Sequence, residues 1–199
     1  MAHTAAIAHL RTADPVLADV IDAVGPCEWT LSAQGFRTLA DAIIAQQISI
    51  KASAAIMGRL EHLLGKVVPE RFLATEPEDL RGIGLSGQKA RYLRDLAERT
   101  ITGALDLSAL PALDDESAIS QLTAVKGIGR WTAEIYLIFA LGRPDVLPAD
   151  DLGLRYAAQQ FYQLPAPPPP PEMRRIGEAW RPYRSVACWY LWRGRQIHY

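Results

Sequence analysis

The stretch that decides the fold is Leu122 to Asp151, LTAVKGIGRWTAEIYLIFALGRPDVLPADD. Ile119, Leu122 and Val125 mark the apolar face of a short helix, Gly127-Ile128-Gly129 interrupts it, and Trp131 to Leu141 is nearly all apolar. That pattern predicts a helix, a tight turn and a central buried helix. Gly127 and Gly129 allow a turn with positive φ and no side chain in the way. The helix that opens near Arg130 presents unpaired N–H groups and its positive dipole end, which favour an anion. Lys126 and Arg130 add charge. Asp150 and Asp151 follow one helix and one loop later, where a loop enters the next helix. A turn suited to phosphate, followed by a carboxylate, points to a protein that grips DNA and acts on a nucleotide.

Working outward, helical spacing continues in both directions. Phe36, Leu39, Ile43 and Ile44 recur at helical intervals before Gln46, and Ile56, Leu60 and Leu63 extend the pattern beyond Ser49. Glu76 to Leu80 reads as a helix start with Pro77 early. Gln88 to Thr100 is amphipathic, with Tyr92, Leu93 and Leu96 inside, and Asp115 to Thr123 is a further short helix. Asp151 to Phe161 and a segment from Ile176 to Trp192 complete the series. No stretch alternates like a strand, so the chain reads as all-α, with roughly ten short helices. Pro165 to Pro171, PAPPPPP, is expected to be a stiff spacer between two helices; an SH3-type ligand is the lesser alternative. LRGIGLSGQKARYL (Leu80 to Leu93) echoes the hairpin, with Gly82-Ile83-Gly84 matching Gly127-Ile128-Gly129.

The 199 residues are 49% hydrophobic and 22% charged, an ordinary soluble composition able to bury a core. The apolar runs are too short to span a bilayer, and no secretion signal is visible, so a cytoplasmic protein without a membrane partner is expected. Two isolated cysteines, Cys27 and Cys188, exclude a four-cysteine iron–sulfur cluster. The net charge of −1 disfavours nucleic acid only when taken globally. Basic residues gather at Arg81 to Arg99 and Arg174 to Arg195, whereas acids gather at Asp14 to Glu28 and Asp114 to Glu116. On charge alone, solvated helix faces are the simpler explanation.

The motifs in order, LADAIIAQQISIKAS (Leu39 to Ser53), LRGIGLSGQKARYLRDLA (Leu80 to Ala97), GIGRWTAEIYL (Gly127 to Leu137), RPDVLPADDLGLR (Arg143 to Arg155) and WRPYRSVACWYLWR (Trp180 to Arg193), span most of the chain. They resemble the helix-hairpin-helix DNA glycosylases, in the alkylation-repair (3-methyladenine) branch. The resemblance implies a compact helical glycosylase core, 1–199, with two small helical subdomains flanking a DNA-binding cleft and no extra N-terminal β-domain. The expected subdomains are 36–150, including the 122–137 motif, and 1–35 with 151–199.

The resemblance further implies that Asp151 is the catalytic aspartate, while Asp150 keeps at most a capping role. The chemistry asks for such a group, since an anion stabilises the positive charge that develops on deoxyribose and can orient or deprotonate water. N3- and N7-alkylated purines are already cationic and leave without protonation. Bifunctional relatives place a Schiff-base Lys where this chain has Trp131, so a monofunctional enzyme without lyase activity is implied.

A flipped base needs an aromatic pocket. The candidates are Trp131, Trp192, Tyr136 and Phe36, followed by Trp29, Trp189 and Tyr190. Core packing is the stronger reading of Tyr136 and Trp189. Ile135 stands where relatives can carry an aromatic. Gln47 matches the family's intercalating wedge, and Gln46 is read as structural. Expected DNA-backbone contacts are Lys126, Gly127, Ile128, Gly129, Arg130 and Thr132 of the hairpin, with Ser49, Lys51, Ser53, Ser86, Gln88 and Lys89. Carbonyls of Thr123, Val125 and Ile128 are implied ligands of a structural Na+ or K+, with no cofactor required for catalysis. The expected partner is duplex DNA with alkylated bases, bound by a monomer. The alternatives are a non-catalytic DNA-binding module using the same hairpin, and excision of oxidised or mismatched bases.

Overall fold

The computed structural model describes residues 3–197. Among these there are twelve α-helices, two short 3₁₀ turns and no strand. None of the helices is long and apolar enough to cross a membrane. The chain divides into two compact units, residues 32–136 and residues 1–31 with 137–199.

The 32–136 unit contains α3 (Phe36–Ala45), α4 (Ile50–Leu64), α5 (Pro69–Leu73), α6 (Pro77–Gly82), α7 (Gly87–Thr102), α8 (Asp115–Thr123) and the start of α9 (Arg130–Phe139). Side-chain oxygens set several helix starts. Ser49 caps α4 through Ala52 N–H, Ser86 caps α7 through Lys89 N–H, and Asp114 caps α8 through Ser117 N–H. Each cap of this kind is worth about 1 kcal/mol. Helix α7 packs on α3 and α5, and Leu39, Ile43, Ile44, Phe72, Leu93 and Leu96 are fully buried.

The other unit contains α1 (Thr4–Ala13), α2 (Pro15–Val24), α10 (Leu152–Phe161), α11 (Pro170–Gly177) and α12 (Arg184–Ile197). Helix α12 packs on α2 and α10, around Leu10, Leu17, Leu154, Trp180, Tyr190 and Leu191. Buried Asp14 caps α2 through Leu17 N–H at 3.1 Å. Its other oxygen accepts the Trp180 indole N–H at 2.8 Å and the Tyr162 hydroxyl, which satisfies a carboxylate that would otherwise be costly to bury.

The division differs from the expected 35/36 and 150/151 boundaries. The second passage comes at 136/137, inside α9. The segment after α9 is tied to α12: Ser185 Oγ donates to Arg143 O at 2.7 Å and accepts Val146 N–H at 3.0 Å, and Arg184 Nε donates to Asp145 at 2.8 Å. The proline run is also shorter as a spacer than its composition suggests. Pro170 and Pro171 lie in the first turn of α11, where a missing N–H removes no helical bond. The remainder is fastened to α10 by Arg155 Nε on Pro168 O at 2.7 Å.

Candidate functional site

Within the 32–136 unit the hairpin joins α8 to α9. Gly127 has φ +86°, and a Cβ there would meet the Tyr92 ring at 2.2 Å. Glycine is therefore required twice, by conformation and by space. Gly129 behaves differently from expectation. It is not among the positive-φ glycines, and a Cβ on it meets nothing within 4 Å. Its carbonyl accepts Ala133 N–H at 3.0 Å, so it stands at the mouth of α9. In the echo, it is the second glycine, Gly84, that takes positive φ, so the two similar sequences do not form the same turn.

The hairpin is held mostly by its own protein partners. Lys126 N–H donates to Asp95 at 2.9 Å, and Ile128 N–H to Val125 O at 3.1 Å. Burial works against the Asp95 carboxylate, but the Lys126 N–H and the Arg99 guanidinium outweigh it and hold it below its ordinary range. Arg130, an expected phosphate contact, is committed to two carboxylates. It forks onto Glu116, with one contact at 2.9 Å, and donates to Glu134 at 2.9 Å. The Glu116 bond raises its pKa further above the normal guanidinium value. Thr132 and Ile128 are buried. What the hairpin turns outward is the exposed Lys126 ammonium, 3.8 Å from Asp95, and the open start of α9.

A cleft of about 610 Å³ lies beside the hairpin, lined by Gln46, Gln47, Ile48, Ser86, Gln88, Lys89, Tyr92 and Gly127 to Gly129. The expected wedge, Gln47, is exposed and has φ +58°. A non-glycine residue in this region costs about 1–2 kcal/mol and marks a constrained turn. Gln46 is structural, as its sequence reading has it: its side-chain NH₂ donates to Gly127 O at 2.8 Å. Lys89, an expected phosphate contact, makes two bonds within the protein. Its ammonium donates to Ile44 O at 2.6 Å and Gln46 O at 2.8 Å, closing the end of α3, and burial lowers its pKa. Ser49 and Ser86 are exposed and spend an oxygen on capping, Lys51 and Gln88 are exposed, and Ser53 is buried.

Within the other unit, Asp151 opens α10. Its Oδ1 accepts the N–H of Leu154 and, at 3.0 Å, the indole N–H of Trp192. The cap is thus Asp151 and not Asp150, because the helix begins at Leu152. Asp150 is exposed and 3.6 Å from Arg174. Gly153 leaves room beside the carboxylate, where a Cβ would stand 3.2 Å from Oδ1.

Trp192 also walls two cavities. One, of about 320 Å³, is shared with Glu28, Phe139, Trp189, Arg193 and Gln196. The other, of about 370 Å³, is shared with Gly153, Arg195 and Gln196. The Phe139 and Trp192 rings stand 5.9 Å apart. Phe139 and Glu28 carry no motif in the sequence, and the sequence reading of Trp189 is core packing. Trp189 alone carries a signal, since Trp189, Trp192, Arg193 and Gln196 recur on one face of α12.

Of the other expected pocket aromatics, Trp29 stacks on His3 with centroids 5.0 Å apart and Tyr190 is buried, its hydroxyl donating to Gly25 O at 3.1 Å, while Trp131, Tyr136 and Phe36 lie in the 32–136 unit. Trp131 is 46% exposed at the start of α9. Tyr136 is buried, and its hydroxyl accepts Gly35 N–H at 2.9 Å; burial raises its pKa. Phe36 is a core residue packed against Phe72, with ring centroids 6.5 Å apart. It occupies the apolar face of α3, and the same periodicity that made it visible consumes it in packing.

Residues 40–182 match the profile of the HhH-GPD superfamily base excision DNA repair protein. The chain is 36% identical to DNA-3-methyladenine glycosylase 1 of Schizosaccharomyces pombe, over 81% of this chain and 73% of that one. It is 30% identical to DNA-3-methyladenine glycosylase 2 of Escherichia coli, covering 76% of this chain and only 54% of the relative. Among solved structures, the S. pombe 3-methyladenine DNA glycosylase in complex with abasic DNA superposes with a TM-score of 0.84 at 35% identity, over 95% of both chains. A Bacillus halodurans DNA-3-methyladenine glycosidase gives 0.83 at 37% identity, over 92% of this chain and 85% of that one.

Proposed function

Because the chain belongs to the HhH-GPD superfamily of base excision DNA repair proteins, we propose that it is a monofunctional glycosylase that excises cationic alkylated purines, such as 3-methyladenine or 7-methylguanine, from duplex DNA. The observation that carries this reading is the carboxylate of Asp151, fixed by Leu154 N–H and the Trp192 indole beside an aromatic-walled cavity. Cleavage breaks the bond between C1′ and the purine nitrogen, and the electron pair leaves with the base. A base that starts positively charged departs neutral, so no general acid is needed. Positive charge shifts to the sugar, where the Asp151 carboxylate stabilises it and guides the attacking water. Water's oxygen bonds C1′ and its proton passes to the carboxylate or solvent.

Two residues refine the reading. Position 131 is Trp, which has no amine for a Schiff base, so the strand stays intact. The aromatic wall at Trp192 suits a planar cation, which aromatic faces attract. Gln47 fills the gap left by the flipped base, while the α9 start and Lys126 hold phosphate without reading sequence. The chain acts as a monomer in this scheme. A Na+ or K+ at the hairpin would be held by carbonyls of Thr123, Val125 and Ile128. The Val125 carbonyl, which accepts Ile128 N–H at 3.1 Å, retains a second lone pair for such an ion. Bound there, the ion would add positive charge for a phosphate.

The test is base release from methylated duplex DNA by wild type and Asp151→Asn, followed by alkali. An amide keeps the oxygen that caps α10 and meets Trp192 but loses the charge, so the variant folds. Release by wild type, a loss of at least about a hundredfold in the variant, and strand breaks only after alkali are expected. Equal release by both removes Asp151 from the mechanism, and breaks without alkali refute the monofunctional assignment. DNA binding without any release moves the protein to the binding-module reading.

A further inference from the structure

We infer that Lys89 is a positioning residue for base flipping: its ammonium braces the left-handed turn that carries Gln47, which the Gln46 side chain ties to the hairpin. The inference rests on the wedge reading of Gln47. It begins with a contradiction in charge. A lysine that borders a DNA-facing cleft is ordinarily read as a phosphate contact. Here two of its three donors are spent on carbonyls at the end of α3, Ile44 O at 2.6 Å and Gln46 O at 2.8 Å.

Those carbonyls are among the last of α3, which have no helical partner. The chain then turns sharply through Gln47 at φ +58°. A strained residue persists only where its surroundings over-determine it. Lys89 supplies that constraint from one side. From the other, the Gln46 side chain donates to Gly127 O at 2.8 Å. The residue before the wedge is thus held by its backbone to α7 and by its side chain to the hairpin.

The same helix supports the hairpin directly. One turn beyond Lys89, the Tyr92 ring fills the space a Cβ on Gly127 would need, and Gln88 pins the Tyr92 hydroxyl at 2.6 Å. A further turn on, Asp95 receives Lys126 N–H. Successive turns of α7 therefore brace the wedge and the phosphate hairpin together. Gripping phosphate at the hairpin fixes where Gln47 enters the duplex.

A phosphate contact and a brace give different results. The experiment compares wild type, Lys89→Met, Lys89→Arg, Gln47→Ala and the Lys89→Met/Gln47→Ala double variant. The readouts are 2-aminopurine fluorescence next to a 7-methylguanine site, single-turnover base release, and the salt dependence of binding to undamaged duplex. As a brace, Lys89→Met loses flipping amplitude and roughly tenfold or more in release. Its salt slope stays at the wild-type value. Lys89→Arg, which restores donors to the carbonyls, recovers most of the loss, and the double variant is no worse than Gln47→Ala alone.

A salt slope reduced by about one, with uniform weakening on every duplex, would instead identify a phosphate contact and overturn the brace. Additive losses in the double variant would overturn it too. If Gln47→Ala is defective while Lys89→Met is normal, the wedge stands and the brace falls. If Gln47→Ala flips and releases normally, the wedge reading itself falls and takes this inference with it.

Discussion

A methyl group at position 127 would meet the Tyr92 ring at 2.2 Å, while one at position 129 would meet nothing within 4 Å. The two hairpin glycines therefore answer to different demands. Gly127→Ala must leave φ +86° or displace Tyr92, and it is expected to lose about 2 kcal/mol or more of stability, seen as a lowered urea midpoint. Gly129→Ala has space, so it is expected to unfold close to the wild-type midpoint and to lose affinity for duplex DNA, because its methyl would occupy the mouth of α9, the proposed phosphate site. Equal stability for both variants would remove the packing argument for Gly127; unchanged DNA binding by Gly129→Ala would remove the α9 mouth as the phosphate site. Asp151 shows the same division of labour within one side chain. Its Oδ1 caps α10 and accepts from Trp192, so a substitution that keeps an oxygen there separates chemistry from folding.

Among elements, α7 carries more than its sequence discloses. Asp95 sits in its middle and binds the Lys126 N–H, with Arg99 at 2.9 Å. Its folded pKa is depressed, so the anchor is fully present above the pKa of the unfolded carboxyl, about 4. It is lost as pH falls through the lower folded value, because the unfolded chain then takes up protons first. Asp95→Asn is expected to lower stability at pH 7 and to flatten its decline below about pH 4, measured as urea midpoints across pH; parallel curves for both proteins would deny the anchor. The helices themselves were legible from local rules. Asp115–Thr123 and the α3 apolar face have the limits their periodicity predicts, because neighbours three and four residues apart set them. The brace was not legible. Lys89 reaches carbonyls 43 and 45 residues away, and Asp95 an N–H 31 residues away, and no local pattern distinguishes such a lysine from a solvated one. The Asp151–Trp192 pair, 41 residues apart, was approached only because family motifs marked both ends, and Glu28 and Phe139 had no such mark.

For the whole molecule, a net charge of −1 sets a problem for binding a polyanion. Non-specific affinity comes mainly from neutralising phosphates and releasing counterions, yet the hairpin's own cations are largely engaged. Arg130 is held by Glu116 and Glu134, and Lys126 lies near Asp95. The grip proposed above then falls to backbone N–H groups and the exposed Lys126, and binding should weaken with salt while reflecting few fully charged contacts. Glu116 is the adjustable member of this arrangement, because its carboxylate is 71% exposed while Glu134 is buried. Glu116→Gln removes a negative charge beside the turn proposed to face DNA and releases one fork of Arg130. As an exposed pair it contributes little to stability, so unfolding should barely change. Affinity for undamaged duplex should rise, and the slope of log K against log salt should steepen by up to about one, since a freed arginine can displace one more counterion. Titrations from low to moderate salt by fluorescence anisotropy decide it. An unchanged slope would mean that Arg130 does not face phosphate even when released, and that the hairpin works through its backbone alone.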